Sequence, residues 1–431
     1  MPYFSAKSEV AMEILSGIIA FTRSLGAACM TPFFIFIIGL VVRVPIKELL
    51  RACITVAIGF IGTFMVMGLL SQFIGPICTA LVDTWHLSLD TVDIGWPVVA
   101  SFAWSVPIVP LIFFGVFILN IFMIVIGLTR TLDVDIWNYW SFMMAGAMVY
   151  YTTNNVAFGV IAALITAAIT FVFADHAAPF TQDMYPGISF PHACAIYTMP
   201  ICRGLDKIYD HIPGLKSVQV DTESLKEKIG FFGDPMFIGL ILGMVLALIG
   251  GEDAVGVIQT GFNISAVMYL LPKMVALLME GLSVIAQYAQ DWAQNSKFLK
   301  GKELYIGIDG GILMGRPAVI VVGTLMIPII LVIAAVLPGN HVLPIADLAV
   351  LTSWFSWCAV ASHENIVRGL ISAIIMSVPL LLIATLMTPA VNLMAVNSGY
   401  VFADGVNNVS ALVMGNEYIA DIFYWLATLI A

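Results

Sequence analysis

The chain alternates between long apolar stretches and short clusters of charged residues. Eight stretches lack Asp, Glu, Lys and Arg: 24–42, 52–82, 94–129, 136–174, 235–251, 254–272, 317–346 and 369–403. Because a membrane-crossing helix needs about 20 apolar residues, most of them can cross a bilayer, and 136–174 and 369–403 can each hold two crossings or one crossing and a re-entrant piece. The pattern predicts an all-α, polytopic integral membrane protein with about ten to eleven transmembrane helices.

The charged clusters between these stretches differ in their content of Lys and Arg. Basic residues concentrate in 43–51, 203–234 and 291–303. Acidic residues dominate 83–93 and 252–253. Because cytoplasmic loops carry an excess of Lys and Arg, we place the three basic segments in the cytoplasm and the two acidic ones outside. The basic loops can reflect topology alone or can also dock a soluble partner.

The N-terminal residues lack the charged start, apolar centre and small-residue cleavage site of a secretory signal. We expect residues 8–22 to form a helix at the membrane surface, with a first crossing as the alternative. No segment has the composition of a separate soluble domain, so 1–431 is interpreted as a single membrane-embedded domain.

Two segments contain too many helix breakers to be plain spans. Residues 184–202 carry three prolines and His192, and residues 336–348 open with Pro-Gly before Asn340. Lipid cannot satisfy the backbone groups that proline and glycine expose, so such segments belong in a cavity lined by protein. Two broken segments in separate halves are typical of transporters built from structural repeats.

Two further interrupted stretches carry candidate binding groups. Asp309 lies among glycines in 304–315, and Trp96 lies between Gly95 and Pro97 in 93–105. Asp309 is either a loop carboxylate near the cytoplasmic face or a buried acceptor for substrate hydroxyls. Trp96 is either an interfacial anchor or a surface on which the apolar face of a polyol stacks.

His192 and the pair Glu364 and Arg368 can each have either a structural or a functional role. His192 can be a structural histidine bonded to a backbone carbonyl, but its broken segment favours a functional role. Glu364 and Arg368 have the i,i+4 spacing of a helical ion pair, which favours a structural role for them.

Composition excludes several classes of protein. Hydrophobic residues make up 61% of the chain and charged ones 10%, against about a quarter charged in soluble domains. The net charge of −10 offers no broad basic surface for nucleic acid.

The six cysteines are scattered singly, so neither a metal site nor a disulfide framework is indicated, and Cys194 is interpreted as packing. Motifs for nucleotide hydrolysis, serine hydrolysis and zinc peptidase chemistry are missing. We expect no metal and no bound cofactor.

Six motifs occur together along the chain: TVDIGWP (91–97), VDIWNYW (134–140), FPHACAIYTMPI (190–201), GFFGDP (230–235), YIGIDGGILMG (305–315) and VLPGNHVLPIADLA (336–349). As a set they resemble the galactitol-type enzyme IIC component of the bacterial phosphoenolpyruvate-dependent sugar phosphotransferase system. The resemblance extends over nearly the whole chain, from about residue 20. At fold level this family is similar to the ascorbate IIC component.

The resemblance implies a homodimeric permease of the bacterial inner membrane, with inverted repeats and re-entrant hairpins. Its substrate is phosphorylated on the cytoplasmic side by a phosphocysteine of a separate IIB protein, itself served by a IIA protein, so the phosphoryl chemistry lies on another subunit. In the ascorbate relative a histidine in one hairpin and an aspartate in the other contact the sugar. The similar positions here are His192 and Asp309.

The chain departs from the galactitol pattern at two positions. Ser141 stands where the pattern has a histidine, and Glu364 follows His363 where the pattern has a basic residue. The expected substrate is therefore a polyol or sugar of the galactitol kind rather than galactitol specifically.

We predict that this substrate is bound by Trp96, His192, Asp309 and Asn340, with Asp309 orienting a hydroxyl toward the phosphoryl donor. Loops 203–234 and 291–303 would face the IIB protein. The main alternative is an ion-coupled secondary transporter of the same fold, in which Asp309 or His192 couples to protons or sodium. An intramembrane enzyme is disfavoured because the sequence shows no paired nucleophile and base.

Overall fold

The computed structural model describes residue 17 and residues 27–85, 89–221, 231, 234–295, 303–402 and 406–431. Most of the predicted surface helix 8–22 and parts of loops 203–234 and 291–303 lie outside these residues. The described part of the first half contains α1 (Ala27–Val41), α2 (Ile46–Thr84), β1 (Thr91–Asp93), α3 (Trp96–Ser105), α4 (Val109–Ile126), β2 (Thr131–Asp133), α5 (Tyr139–Thr153), α6 (Val156–Ala177), β3 (Ile188–Ser189), α7 (Ala193–Ile196) and α8 (Met199–Tyr209).

The described part of the second half contains α9 (Pro235–Ile249), α10 (Ala254–Asn295), β4 (Tyr305–Gly307), α11 (Pro317–Val336), β5 (Val342–Leu343), α12 (Leu351–Trp354), α13 (Ser356–Val360), α14 (Ile366–Leu386), α15 (Thr388–Asn397), β6 (Asn408–Ser410) and α16 (Tyr418–Thr428). Short 3₁₀ segments follow four of the strands: Ile136–Asn138, Gly310–Gly315, Ala346–Val350 and Leu412–Asn416.

The six short strands reveal two repeats that exchange their first strands. One parallel sheet has the order β5-β1-β6, and the other has the order β2-β4-β3. If β1 is exchanged with β4, β2 with β5 and β3 with β6, the strand order of one sheet becomes the strand order of the other. Each half therefore contributes its first strand to the centre of a sheet whose edges belong to the other half. The repeats are real, and their opposite orientation across the membrane stays a prediction.

The predicted broken segments form these strands and the turns after them. Residues 184–202 contain β3, whereas 336–348 contain β5, so the two segments occupy different positions in the repeat rather than equivalent ones. Non-helical backbone inside a membrane protein must be paired internally, and parallel pairing between the loops of the two halves does this. For example, Ile306 N–H donates to the Gly187 carbonyl at 2.9 Å.

The long helices α2 and α10 occupy equivalent positions in the two halves and pack along each other. Small residues allow the close approach: a Cβ on Gly59 would lie 2.5 Å from the Cα of Leu278, and one on Gly281 would lie 2.7 Å from the carbonyl oxygen of Ala52. At 1.5 Å per residue each helix is about 60 Å long, roughly twice the bilayer core.

Five helical segments of the described chain are long and apolar enough to cross a membrane: Val109–Ile126, Val156–Phe180, Ala254–Ala289, Pro317–Val336 and Ile366–Leu386. Stretch 136–174 divides into α5 and α6, and stretch 369–403 carries most of α14 and all of α15. The all-α polytopic class is thus confirmed. The total of ten to eleven crossings stays a prediction.

Candidate functional site

A cavity of about 290 Å³ lies where the turns after the strands of both halves meet. Trp96 and His192 come from the first half, and Asp309 and Trp354 from the second. Small-molecule pockets usually measure about 300–1,000 Å³, so this cavity suits one small ligand. The strand exchange explains its position, because it brings turns distant in sequence to one place.

Indole rings form much of the wall. The Trp96 ring lies 6.1 Å from the Trp137 ring in a T-shaped arrangement and 6.2 Å from the tilted Trp140 ring, measured between centroids. Trp354 contributes a fourth indole, whose buried N–H has no acceptor within the described residues. Indoles offer an apolar face and a hydrogen-bond donor, the two features that a polyhydroxylated ligand needs.

His192 is held in one tautomer by its neighbours. Its Nδ1 lies 3.0 Å from Oδ1 of Asn138, and Nδ2 of Asn138 donates to Oδ1 of Asp133 at 2.8 Å. Because the amide oxygen can only accept, Nδ1 must carry the proton, and in a neutral imidazole Nε2 is then an acceptor. The ring is 7% exposed, at the cavity wall.

Asp309 precedes the 3₁₀ segment Gly310–Gly315 and caps it. Its Oδ1 accepts the Gly311 N–H at 2.6 Å, while its own N–H donates to Oδ2 of Asp135 at 3.1 Å. A Cβ on Gly310 would lie 3.1 Å from the Cβ of His192, so glycine lets the two turns approach. As a result Oδ1 of Asp309 lies 3.6 Å from Nδ1 of His192, with the Asp309 side chain 17% exposed.

Two buried carboxylates fix the turn that carries Trp96. Asp347 accepts the Trp96 N–H at 2.8 Å with one oxygen and the Val413 N–H at 3.0 Å with the other. Asp93 accepts the N–H groups of Gly95 and Asp347, at 3.0 and 2.8 Å. Asp347 of the second half accepts the N–H of Trp96 in the first half, just as Asp135 of the first half accepts the N–H of Asp309 in the second half. In each case a carboxylate of one half fixes a turn of the other half.

Asn340, the fourth predicted residue, does not line the cavity. Its Nδ2 donates to the carbonyl oxygens of Ala334 and Val342, both at 3.0 Å, and its Oδ1 accepts the Val342 N–H at 3.2 Å. All these bonds hold the turn between α11 and β5. Asn340 is therefore placed in a structural turn, away from the ligand position that the sequence suggested.

The predicted helical ion pair between Glu364 and Arg368 is wrong. Glu364 lies in a turn before α14 begins and pairs with Arg316, whereas Arg368 pairs with Asp206 at 3.1 Å and with Asp210 at 3.0 Å. The i,i+4 rule requires both residues to be helical, and Glu364 has a φ of 60°.

The other departure from the galactitol pattern, Ser141, and the cysteine Cys194 both lie in the buried interior. Ser141 donates to the buried Glu417 at 2.6 Å. Cys194 is completely buried, which agrees with a packing role.

Several residues at the cavity escaped the sequence analysis. Trp137, Asn138 and Trp140 belong to the VDIWNYW motif, whose two tryptophans around an asparagine could have indicated a binding surface. Trp354 and Ser353 lie in an apolar stretch that gives no local signal. Only the fold brings them to the same cavity as Trp96.

Comparison with known proteins identifies the family of this chain. A family model described as the PTS system sugar-specific permease component matches residues 21–405. A putative permease IIC component of Escherichia coli K12 is 35% identical over 397 residues, covering 92% of this chain and 90% of the relative. The galactitol-specific EIIC component of the same strain is 32% identical over 396 residues, covering 91% and 87%. The chain, a multi-pass membrane protein, therefore belongs to the family of PTS sugar-specific permease components.

Proposed function

We propose that this chain is a permease of the bacterial inner membrane that binds a galactitol-like polyol or sugar in the Trp-lined cavity and delivers it for phosphorylation by a separate IIB protein. The observation that carries the proposal is the meeting of His192 and Asp309, from opposite halves, at 3.6 Å beside four indoles. Family membership supports a sugar as substrate and soluble IIA and IIB proteins as partners.

His192 and Asp309 have complementary roles in this proposal. The Nε2 lone pair of His192 accepts a hydrogen bond from one hydroxyl, while Asp309 accepts another with the carboxylate oxygen that does not cap Gly311. The indoles pack on the C–H face of the ligand.

Phosphoryl transfer follows from the same arrangement. The oxygen of the hydroxyl held by Asp309 attacks phosphorus, the O–P bond forms, and the S–P bond of the phosphocysteine breaks. The hydroxyl proton passes to the Asp309 carboxylate, and the IIB cysteine leaves as a thiolate. This chain orients the hydroxyl and accepts its proton, and the phosphoryl group belongs to its partner. We also propose that the permease works as a homodimer, as the resemblance to the ascorbate IIC component implies.

Equilibrium binding to the purified full chain tests the site. Labelled galactitol is measured first, with other hexitols, pentitols and hexoses as competitors, for the native chain and for Asp309→Asn. The amide loses the charge that strengthens hydrogen bonds to hydroxyls, so affinity should fall by about 10-fold or more. The matched control is Asp291→Asn at an exposed position, which should bind like the native chain. Native affinity in Asp309→Asn would make Asp309 a loop carboxylate and leave the cavity without its main acceptor.

A further inference from the structure

A strained turn lies between α13 and α14. It contacts loop 203–234 on one side and, on the other, Arg316 at the end of the 3₁₀ segment that follows Asp309. His363 and Glu364 have φ values of 53° and 60°, a left-handed conformation that side chains other than glycine seldom adopt. Two contacts from the loop hold the turn in place: Asn365 Nδ2 donates to the Val218 carbonyl at 2.6 Å, and Ile366 N–H donates to the Val220 carbonyl at 2.7 Å. Strain that surrounding contacts maintain is typical of functional and switching regions.

The two strained residues each hold an arginine. Glu364 pairs with Arg316, and Arg203 donates to Nε2 of His363 at 3.2 Å and to the Ala361 carbonyl at 3.0 Å. Because a guanidinium has no acceptor, Arg203 is the donor in this contact with Nε2 of His363. One short turn therefore positions two guanidinium groups while supplying a single carboxylate, and Arg203 also lies 3.5 Å from Oδ2 of Asp206.

Arg316 stands at the end of a segment that begins at the cavity. The 3₁₀ segment Gly310–Gly315 runs from Asp309 to Arg316, about 12 Å at 2 Å per residue, and its Ile312 and Met314 line the cavity. Arg316 and Glu364 are 33% and 16% exposed, so the pair is accessible to a solute but partly shielded from bulk water.

We propose that Arg316, assisted by Arg203, binds the phosphoryl group before and after transfer: on the phosphocysteine as it approaches the cavity, and on the product ester as it leaves. Glu364 occupies Arg316 until that group arrives. A phosphoryl group carries a charge of about −1.5 to −2 and three acceptor oxygens, and a guanidinium binds such oxygens in a bidentate manner. A single carboxylate matches only part of that charge, so the phosphoryl group displaces it. This inference rests on the proposed function, since it assumes a phosphorylated partner.

The test compares a polyol with its phosphate ester. The affinities of the purified full chain for galactitol and galactitol 1-phosphate are measured for the native protein, Arg316→Gln and Glu364→Gln. Arg130→Gln is the matched control, because Arg130 also pairs with a carboxylate, that of Glu303, and is 35% exposed.

The two variants should shift the affinity for the ester in opposite directions. Arg316→Gln should weaken ester binding at least 10-fold and galactitol binding far less, whereas Glu364→Gln should strengthen ester binding several-fold by releasing Arg316. Loss of ester affinity in both variants would identify a structural ion pair and overturn the proposal. Ester affinities within twofold of the native value in both variants would overturn it as well. A native chain that bound neither compound would instead count against the proposed function.

Discussion

At the scale of single residues, the chemistry of the cavity depends on which nitrogen of His192 carries the proton. The link from Asp133 through Asn138 to Nδ1 fixes this, so that Nε2 is the acceptor. The buried Asn138 thus determines that Nε2 of His192 can accept a hydrogen bond from a ligand. No feature of the sequence indicated the link between these two residues.

Replacing His192 by alanine should weaken substrate binding more than it weakens the fold. The lost hydrogen bond leaves a dehydrated hydroxyl without its partner, which costs about 1–3 kcal/mol, or roughly 5- to 150-fold in affinity. Equilibrium binding and thermal unfolding in detergent measure the two effects, with His176→Ala at an exposed position as the control. Unchanged affinity together with a lowered melting temperature would return His192 to a structural role.

Local sequence signals led to three residues of the cavity wall, whose role in binding a substrate stays a prediction. His192, Asp309 and Trp96 were found because a polar or aromatic group stood among helix breakers in an apolar setting, and all three line the cavity. Asn340 gave the same kind of signal, but its side chain serves the turn itself. Breakers and polar groups mark an interrupted segment, and they do not say whether the polar group faces a ligand or the backbone.

At the scale of elements, the reciprocal carboxylates join the two halves. Asp347→Asn should lower stability and also weaken substrate binding, because an amide nitrogen cannot accept from Trp96 or Val413 and one buried N–H loses its acceptor. An unsatisfied buried group costs about 1–3 kcal/mol. Thermal unfolding and galactitol affinity report the two effects. The control is Asp90→Asn, just before β1, whose side chain is exposed. Native-like stability and affinity in Asp347→Asn would show that the turn at Trp96 is held by other contacts.

Close packing of α2 against α10 predicts a second effect. Gly59→Ala places a methyl group 2.5 Å from the Leu278 backbone and forces the helices apart, at a cost of about 1–3 kcal/mol. Gly204→Ala in α8 is the control, because no atom lies within 4 Å of the added Cβ and alanine favours a helix. In unfolding measurements Gly59→Ala should be less stable than the native chain, and Gly204→Ala should be as stable as the native chain or more stable. Equal stability of the two variants would contradict the close approach of α2 and α10.

The helices could be predicted from the apolar stretches, but the strand exchange could not. Each strand contains only two or three residues, so neither its length nor its alternation differs from that of a loop. Its partners are contributed by the opposite half, more than 200 residues away in the case of β1 with β5. The repeat was expected from segments 184–202 and 336–348, which occupy different positions in it, and the equivalence becomes visible only in the order of the strands.

At the scale of the whole molecule, the exchange of strands means that residues of both halves line the cavity. Neither half contains both His192 and Asp309, so relative movement of the halves would change the distance between them. A cavity of this kind can bind a substrate in one arrangement and release it in another, as transport requires. Under the proposed function, coupling to phosphorylation would make release on the cytoplasmic side irreversible, because the charged ester cannot return through an apolar path.

The measurement that tests the central claim most directly uses sealed vesicles containing the full chain and galactitol outside. Phosphorylated or unphosphorylated IIB protein of the galactitol system is enclosed within them, with the cytoplasmic face of the chain turned inward. We predict that galactitol phosphate accumulates inside only with phosphorylated IIB, with or without proton and sodium gradients, and that Asp309→Asn reduces its rate of formation. Accumulation of unmodified galactitol that requires an ion gradient and no IIB protein would contradict the account.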